Sequence, residues 1–122
     1  MKEFDLEERT TKFAKAVIRL CKSLPKDPIN YRLIGQVVGA AGSIGANYRE
    51  ANDALGKKDF LQRLKIARRE AKESHHWLGC ILEANENRSS DILPLLKEAE
   101  ELKKILSSII DNSEKKHRDT NP

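Results

Sequence analysis

The stretch that decides the predicted fold is residues 31–51, YRLIGQVVGAAGSIGANYREA. Apolar residues recur in it every three or four positions, which predicts an amphipathic helix. Small residues recur along the nearly opposite face, namely Gly35, Gly39, Gly42 and Ala46. Each glycine costs a helix interior up to about 1 kcal/mol relative to alanine, so this row needs a physical reason. We expect another helix to approach it closely, so that this helix is covered on two sides.

Three other segments of the chain have the apolar spacing of amphipathic helices. The first is expected at about residues 6–23, where Asp5 and Glu8 have the spacing of a capping box. The third and fourth are expected at about residues 58–84 and 91–110, with Pro94 in the first turn of the fourth. The helix that contains residues 31–51 is expected from residue 30 or 31 to residue 55, after a short connector at 26–29.

The connections between these segments are short, which favours antiparallel packing of successive helices. We therefore predict an all-α fold, an up-down-up-down four-helix bundle over residues 1–110, followed by a flexible polar tail at 111–122. The second and third helices carry apolar or small residues on more than one face. A single bundle needs only one such face per helix, so the surplus predicts a homo-oligomer. The residues expected to pack between helices or subunits are Gly35, Gly39, Gly42, Ala46 and Trp77.

The composition limits the kinds of protein that this chain can be. Its 122 residues suit one domain, and 34% of them are charged, with a formal net charge of +4. The apolar runs are too short for a membrane span, and the charged start shows no secretory signal. We therefore expect a cytoplasmic protein without a membrane partner. Two distant cysteines without a C-x-x-C motif argue against a disulfide scaffold and against a zinc ribbon.

Motifs for catalysis and metal binding are sparse. Glu73 and His76 have helical spacing, but a di-iron bundle needs two such pairs and two further glutamates. His75 and His76 diverge by about 100° on a helix, so they do not converge on one ion. The glycines lie inside a helical pattern and not between a strand and a helix, which excludes a phosphate-binding loop. We expect no enzyme activity, no metal and no cofactor.

Basic residues form rows on two of the predicted helices. The rows are Lys12, Lys15, Arg19 and Lys22 on the first helix, and Lys65, Arg68, Arg69 and Lys72 on the third. Such rows can neutralise successive phosphates of a nucleic-acid backbone, and the positive net charge agrees with that use. The alternative is a solvated charged face, which charged helices have by default. Aromatic residues are scarce, so contact with the backbone is expected more than readout of bases.

Polar residues at helical spacing mark one edge of the second helix and one edge of the third. The first edge comprises Ser43, Asn47 and Glu50, and the second comprises Glu70, Glu73 and Trp77. Buried amides and carboxylates need hydrogen-bond partners, so the edges are expected to meet each other, Arg49 or Arg9. Two interpretations stay open, namely a ligand site and a polar network, within or between subunits, that fixes register.

Three blocks of the sequence resemble one protein family. They are residues 41–51 (AGSIGANYREA), residues 57–60 (KKDF) and residues 67–74 (ARREAKES), the last followed by Trp77 and Leu78. The chain resembles the small bacterial proteins first recognised as reading frames inside intervening sequences of 23S ribosomal RNA genes. The resemblance implies a left-handed four-helix bundle that assembles as a homopentameric ring with a central channel. It brings no catalytic residues.

The same resemblance implies kinship with the accessory variability proteins of diversity-generating retroelements. Those proteins bind nucleic acid and a reverse transcriptase through basic surfaces. Our leading hypothesis from the sequence is therefore a non-enzymatic homo-oligomer that binds RNA or DNA through its basic rows. The alternative is a protein-interaction scaffold, for example an accessory to a reverse transcriptase, with no nucleic-acid role of its own.

Overall fold

The computed structural model describes residues 5–120, with side chains described for residues 5–116. Four α-helices make up most of this range: α1 Leu6–Ser23, α2 Pro28–Asn52, α3 Lys57–Ala84 and α4 Ser89–Thr120. A single 3-10 turn, Glu86–Arg88, precedes α4. No strand is found between residues 5 and 120, so the predicted all-α class and the number of helices are confirmed.

The ends of α1 lie where the sequence predicts them. The Asp5 carboxylate accepts a hydrogen bond from the backbone N–H of Glu8 at 3.2 Å, which satisfies one free donor of the first turn. The helix ends at Ser23 because Leu24 adopts extended backbone angles and is followed by Pro25.

Helix α2 begins and ends earlier than predicted. Asp27 is its N-cap, with the carboxylate accepting from the backbone N–H of Asn30 at 2.8 Å, and Pro28 is the first helical residue. Proline suits that position because the first-turn N–H groups have no partner inside the helix. The expected connector at 26–29 is therefore partly helical. At the other end the helix stops at Asn52, and Leu55 lies fully exposed in the turn that follows.

Helix α4 is longer than predicted at both ends, so the expected start near residue 91 and end near residue 110 are wrong. Pro94 consequently lies inside the helix and not in its first turn. Beyond residue 110, Ser113 is buried and its hydroxyl accepts from Lys57 Nζ at 3.0 Å. Glu114 forms an ion pair with Lys65 at 2.8 Å. These contacts join the polar segment to α3, and the domain boundary expected at 110 falls within a continuous helix.

The core is a continuous apolar cluster to which every α-helix contributes. Fully buried members include Val17 from α1, Ile44 from α2, Leu64 and Leu78 from α3, and Leu102 from α4. Each helix has two neighbouring helices, and within the described range α1 lies diagonally across the core from α3, as α2 does from α4. The four helices therefore enclose one core as a bundle, and each turns one face inward.

A buried pair of asparagines joins the two loops at one end of the bundle. Asn30 Nδ2 donates to Asn85 Oδ1 at 3.1 Å, and Asn85 Nδ2 donates to Asn30 Oδ1 at 2.9 Å. The same two amide groups also donate to the backbone carbonyls of Pro25 and Ile81. Because both side chains are satisfied, their burial is tolerated, and they tie the start of α2 to the end of α3.

The small-residue row of α2 faces outward from the subunit. Gly35, Gly39, Gly42 and Ala46 are exposed, and a Cβ atom added at any of the three glycines would meet nothing within 4 Å. The chain's own helices therefore do not supply the close neighbour that we expected for this row. Close approach occurs instead at Gly45, where an added Cβ would lie 2.8 Å from Thr10 Oγ1 and 3.3 Å from Thr10 Cβ.

Replacing Gly45 by alanine is expected to destabilise the subunit. Thr10 is fully buried and its hydroxyl donates to the Leu6 carbonyl at 2.6 Å, so it has little freedom to move aside. Overpacking of this kind costs about 1–3 kcal/mol, which outweighs a helix-propensity gain of about 1 kcal/mol. The matched control is Gly79→Ala, also inside a helix, where an added Cβ meets nothing within 4 Å. Urea unfolding should show a lower free energy of unfolding for Gly45→Ala and a higher one for Gly79→Ala than for the wild type. Equal free energies of unfolding for the two variants would contradict the close contact at Gly45.

The two cysteines are expected to differ in reactivity. Cys21 is buried in the core, and burial raises the pKa of its thiol to about 11. Cys80 is partly exposed on α3. Since the thiolate is the reactive form, a disulfide reagent at mildly alkaline pH should titrate one thiol quickly in the native protein. Cys80→Ser should abolish that fast phase and Cys21→Ser should leave it unchanged, whereas a fast phase that survives in Cys80→Ser would refute the assignment.

Candidate nucleic-acid interface

The basic row of α1 lies on the solvent-exposed face of the helix, where its first two members share a recess with the acidic residues at the helix start. Its members are Lys12, Lys15, Arg19 and Lys22, and all four are exposed. Their spacing of three and four residues keeps them on one side of the helix, opposite the buried face that carries Phe13 and Val17. None of the four forms an ion pair with another residue in the described range. Their charges are therefore available to an external anion.

Neighbouring acidic residues neutralise more of the positive charge in the α3 row than in the α1 row. Lys65 is paired with Glu114 of α4, and Arg69 lies 4.0 Å from Glu70. Arg68 is half-buried, while Lys72 is exposed. The two rows, which look equivalent in the sequence, therefore differ in how far their charge is paired. The difference arises because the last part of α4 supplies an acidic partner to the α3 row.

The two basic rows lie on different sides of the subunit. Helices α1 and α3 lie diagonally across the bundle over residues 5–120, and each turns its apolar face to the shared core. Their outer faces consequently point away from each other. One straight nucleic-acid segment therefore cannot lie along both rows of a single subunit.

The predicted polar edges of α2 and α3 do not hydrogen-bond to each other among residues 5–116, and the bond that Asn47 accepts from α3 comes from Arg63, outside the predicted edge. Asn47 Oδ1 accepts from Arg63 at 3.3 Å, and Asn47 Nδ2 donates to the Ser43 carbonyl at 2.9 Å. Glu50 and Glu73 are exposed. The predicted contacts of these edges with Arg49 or Arg9 are not formed within the subunit.

Glu70, on the α3 edge that flanks α2, lies in an unfavourable setting for a carboxylate. Burial raises the pKa of its carboxyl group, and the negative charge of Glu73 raises it further, while the charge of Arg69 lowers it. Glu70 and Glu73 thus repel each other where the sequence led us to expect a hydrogen-bonded network.

The two arginines that we expected at these edges bind elsewhere. The Arg9 guanidinium donates bidentate hydrogen bonds to the carboxylate of Glu98 on α4, with N–O distances of 2.7 and 2.9 Å. It donates a further one to the carboxylate of Glu101 at 3.1 Å. The hydrogen bond to Glu98 is the main reason that the pKa of Arg9 is raised. This cluster joins α1 to α4. The sequence carries no local signal for it, because the partners lie far apart along the chain.

Arg49 joins α2 to α1. It donates to Glu7 Oε1 at 3.0 Å and to the Thr11 hydroxyl at 3.1 Å, and Asn52 donates to the other oxygen of Glu7 at 2.8 Å. These side chains are exposed, so the cluster contributes modestly to stability. Its main effect is to fix the direction of α2 relative to α1.

Trp77 packs partly against the core from the outer side of α3. It lines a surface recess together with Arg69, Lys72, Glu73 and His76. The sequence indicates Trp77 as a packing residue, as part of the α3 polar edge and as one of the scarce aromatic candidates for base stacking. Its place beside three basic side chains follows from the helical spacing. The recess brings an aromatic ring and cationic groups together on one surface.

Residues 5–116 do not bring together three His, Cys, Asp or Glu side chains in a position to hold a metal ion. Over the helical range that the structure describes, no segment is long and apolar enough to cross a membrane. Neither finding identifies a reaction or a ligand. Features that can engage a partner include the basic rows, the recess at Trp77, the outer face of α2 and the exposed apolar side chains at the start of α2.

Comparison with known proteins places the chain in a family. The family model described as 23S rRNA-intervening sequence protein matches residues 2–108. A crystal structure from Bacteroides thetaiotaomicron, described as a protein of unknown function from the S23 ribosomal protein family, has a similar fold, with a TM-score of 0.76. The two sequences are 28% identical, and the match covers 85% of this chain and 96% of that one. No curated protein matches the chain. The chain therefore belongs to the 23S rRNA-intervening sequence protein family.

Proposed function

We propose that this protein is a non-enzymatic, homo-oligomeric helical bundle of the cytoplasm that binds the backbone of RNA or DNA through its basic rows. The observation that carries the proposal is the α1 row, where four exposed cations lie along one helix face without an acidic partner in the described range. The formal net charge of +4 agrees with it.

The dimensions of the α1 row suit a phosphate backbone. At about 1.5 Å of rise per residue, the row from Lys12 to Lys22 is about 15 Å long. Phosphates of one DNA strand recur about every 3.4 Å along the helix axis, so several successive phosphates fall within its reach. Lysine and arginine side chains in this arrangement release counterions on binding and read no base sequence.

Within the subunit, we propose an up-down-up-down order for the helices. Arg49 near the end of α2 contacts Glu7 at the start of α1, and Asn30 at the start of α2 contacts Asn85 at the end of α3. Lys57 at the start of α3 contacts Ser113 in the last part of α4. Each of these contacts is the kind that antiparallel neighbours make. The left-handed twist implied by the resemblance stays a prediction.

The proposed oligomer uses the outward small-residue row of α2 as a subunit contact. The row of Gly35, Gly39, Gly42 and Ala46 has few side-chain atoms, which permits close approach of a second helix. A helix gains nothing from exposed glycines, so a neighbouring subunit supplies the missing reason for their presence. In a ring, which the family resemblance implies to be a pentamer, the α1 rows would be repeated. Modest attraction at one row would then become avidity.

Neutralising the α1 row is expected to weaken nucleic-acid binding and to flatten its salt dependence. The variant is Lys12→Gln, Lys15→Gln and Arg19→Gln together. For B-DNA, each lost phosphate contact lowers the slope of log K against log salt by about 0.9. Anisotropy titrations of a labelled duplex and of a structured RNA over a salt series measure the slope.

The matched control for this variant removes the same charge from another surface. It replaces the exposed Lys97, Lys104 and Lys115 of α4 by glutamine. Replacing Lys65, Arg68 and Arg69 on α3 by glutamine, which removes the same charge, is expected to weaken binding less than the α1 change, because Lys65 already has an acidic partner. An equal loss in the α4 control would show that net charge alone matters. Absence of binding by the assembled protein at low salt would refute the proposed function.

A bulky residue in the α2 row is expected to weaken assembly without unfolding the subunit. Gly39→Leu adds a side chain where an added Cβ meets no atom of the chain within 4 Å. Overpacking at a subunit contact of about 1–3 kcal/mol corresponds to roughly 5-fold to 150-fold weaker association. Sedimentation should show the wild type well above the 13.9 kDa of one chain and the variant shifted toward it.

The control for the assembly test is Lys97→Leu, which adds a leucine to an exposed face of α4. It should sediment like the wild type, and both variants should keep the wild-type circular dichroism spectrum. A wild-type protein that stays monomeric at all concentrations would contradict the proposed contact. The proposed binding of phosphates by the α1 row of one chain does not depend on assembly and would remain.

A protein-interaction scaffold is the second candidate function. It is favoured by large apolar side chains at the start of α2, where Ile29 is 64% and Tyr31 is 67% exposed. In that case the basic rows serve only solvation, and a partner protein docks on the assembly. Affinity capture from the native cell, with and without nuclease, separates the two functions. Partners that persist after nuclease treatment support a scaffold, and partners that disappear support binding through nucleic acid.

A further inference from the structure

The recess beside Trp77 combines the two kinds of group that bind unpaired nucleotides. It has a volume of about 480 Å³ and is lined by Arg69, Lys72, Glu73, His76 and Trp77 of α3. This size falls within the range of about 300–1,000 Å³ that is usual for small-ligand sites. All five residues come from two turns of one helix, so a rigid element sets their relative positions.

Part of the Trp77 side chain stays accessible to solvent. It is only partly buried, and it packs against the core cluster. His76 meets it edge-on, with ring centroids 4.8 Å apart and an angle of 72° between the planes. His76 Nε2 in turn lies 3.8 Å from Cys80 Sγ. An indole fixed by its neighbours loses little conformational freedom when a flat ligand stacks on it.

The charges around Trp77 would orient a bound anion in the recess. Arg69 and Lys72 are exposed cations of this recess, and Glu73 is an exposed carboxylate in the same recess. A phosphate is attracted by the first two and repelled by the third. An anion with a flat apolar part would therefore place its charge toward Arg69 and Lys72 and its ring toward Trp77.

We propose that this recess binds one unpaired base of a single-stranded nucleic acid, with the base stacked on Trp77 and its flanking phosphate held by Arg69 and Lys72. The inference rests on the proposed function, because it assigns to this site a part of the same ligand. It goes beyond that function because the basic rows bind only phosphates and accept duplexes, whereas a stacked base must be free of its partner. Structured RNA with exposed loops then binds better than a fully paired duplex of equal charge.

Trp77 is the only tryptophan in the chain, so its fluorescence reports directly on the recess. The probes are a single strand of about ten thymidines, an abasic chain with the same number of phosphates, and a duplex of equal charge. The single strand is expected to quench Trp77 emission, and the abasic chain and the duplex are not. Anisotropy of labelled probes gives the affinities in parallel.

Two substitutions at position 77 separate stacking from folding. Trp77→Leu is expected to weaken single-strand binding by about 5-fold to 150-fold, the usual effect of losing one stacked base, and to leave duplex binding unchanged. Trp77→Phe keeps an aromatic ring and should retain most of the affinity. Tyr31→Leu, which removes an exposed aromatic residue that does not line the recess, is the control and should bind like the wild type. Thermal melts establish that each variant is folded.

The outcomes distinguish this inference from the proposed function. If the single strand binds without changing Trp77 emission, or if the abasic chain binds equally well, the stacking site is refuted and backbone binding stands. If neither single strand nor duplex binds at low salt, both are refuted. Should Trp77→Leu fail to fold, quenching in the wild type and the affinity of Trp77→Phe still decide the matter.

Discussion

Close packing of α2 against its neighbours is the constraint on which the rest of the structure depends. Small residues are buried in the core on both helices, with Ala41 and Gly45 on α2 and Ala67 and Ala71 on α3. Small side chains permit neighbouring helices to approach closely, as α1 does at Gly45, and larger residues such as Ile44 fill the remaining space. One apolar face of each helix is consumed in this way. The outer faces of α1 and α3 carry charged residues and that of α2 carries the small-residue row, and these supply the surfaces that the proposed function uses.

Most of the fold could be predicted because apolar periodicity is a local property of the sequence. The errors lie at helix ends, where local patterns compete with tertiary contacts. Asp27 followed by Pro28 was interpreted as a connector, although a capping residue before a proline is also how helices begin. The end of α4 was placed too early because polar residues after Ile110 offer no apolar pattern. Their helix is supported by contacts of Ser113 and Glu114 with α3, which only the folded chain brings together.

The candidate site was predictable in its residues but not in its pairings. The sequence gives the spacing of cations along a helix, and all four members of the α1 row are exposed. It does not give the register between helices, which decides that Lys65 is paired with Glu114 while Lys15 has no acidic partner in the described range. The same limit explains Arg9, whose partner Glu98 lies 89 positions away. Rows of like charge can thus be predicted from the sequence, whereas the tertiary structure is needed to know which of these charges are paired with acidic residues.

The reciprocal amide contact between Asn30 and Asn85 has a consequence for how the bundle opens. A slip of one helical turn, about 5.4 Å, would separate the two side chains and leave their polar groups buried without hydrogen-bond partners. Each such group costs about 1–3 kcal/mol of stability. Alternative alignments of α2 on α3 are thereby disfavoured. Since the pair also holds the Pro25 and Ile81 carbonyls, neither loop can fray without releasing the other. Amide protons of both loops should then exchange with solvent as one cooperative unit, although more than 50 residues of sequence separate them.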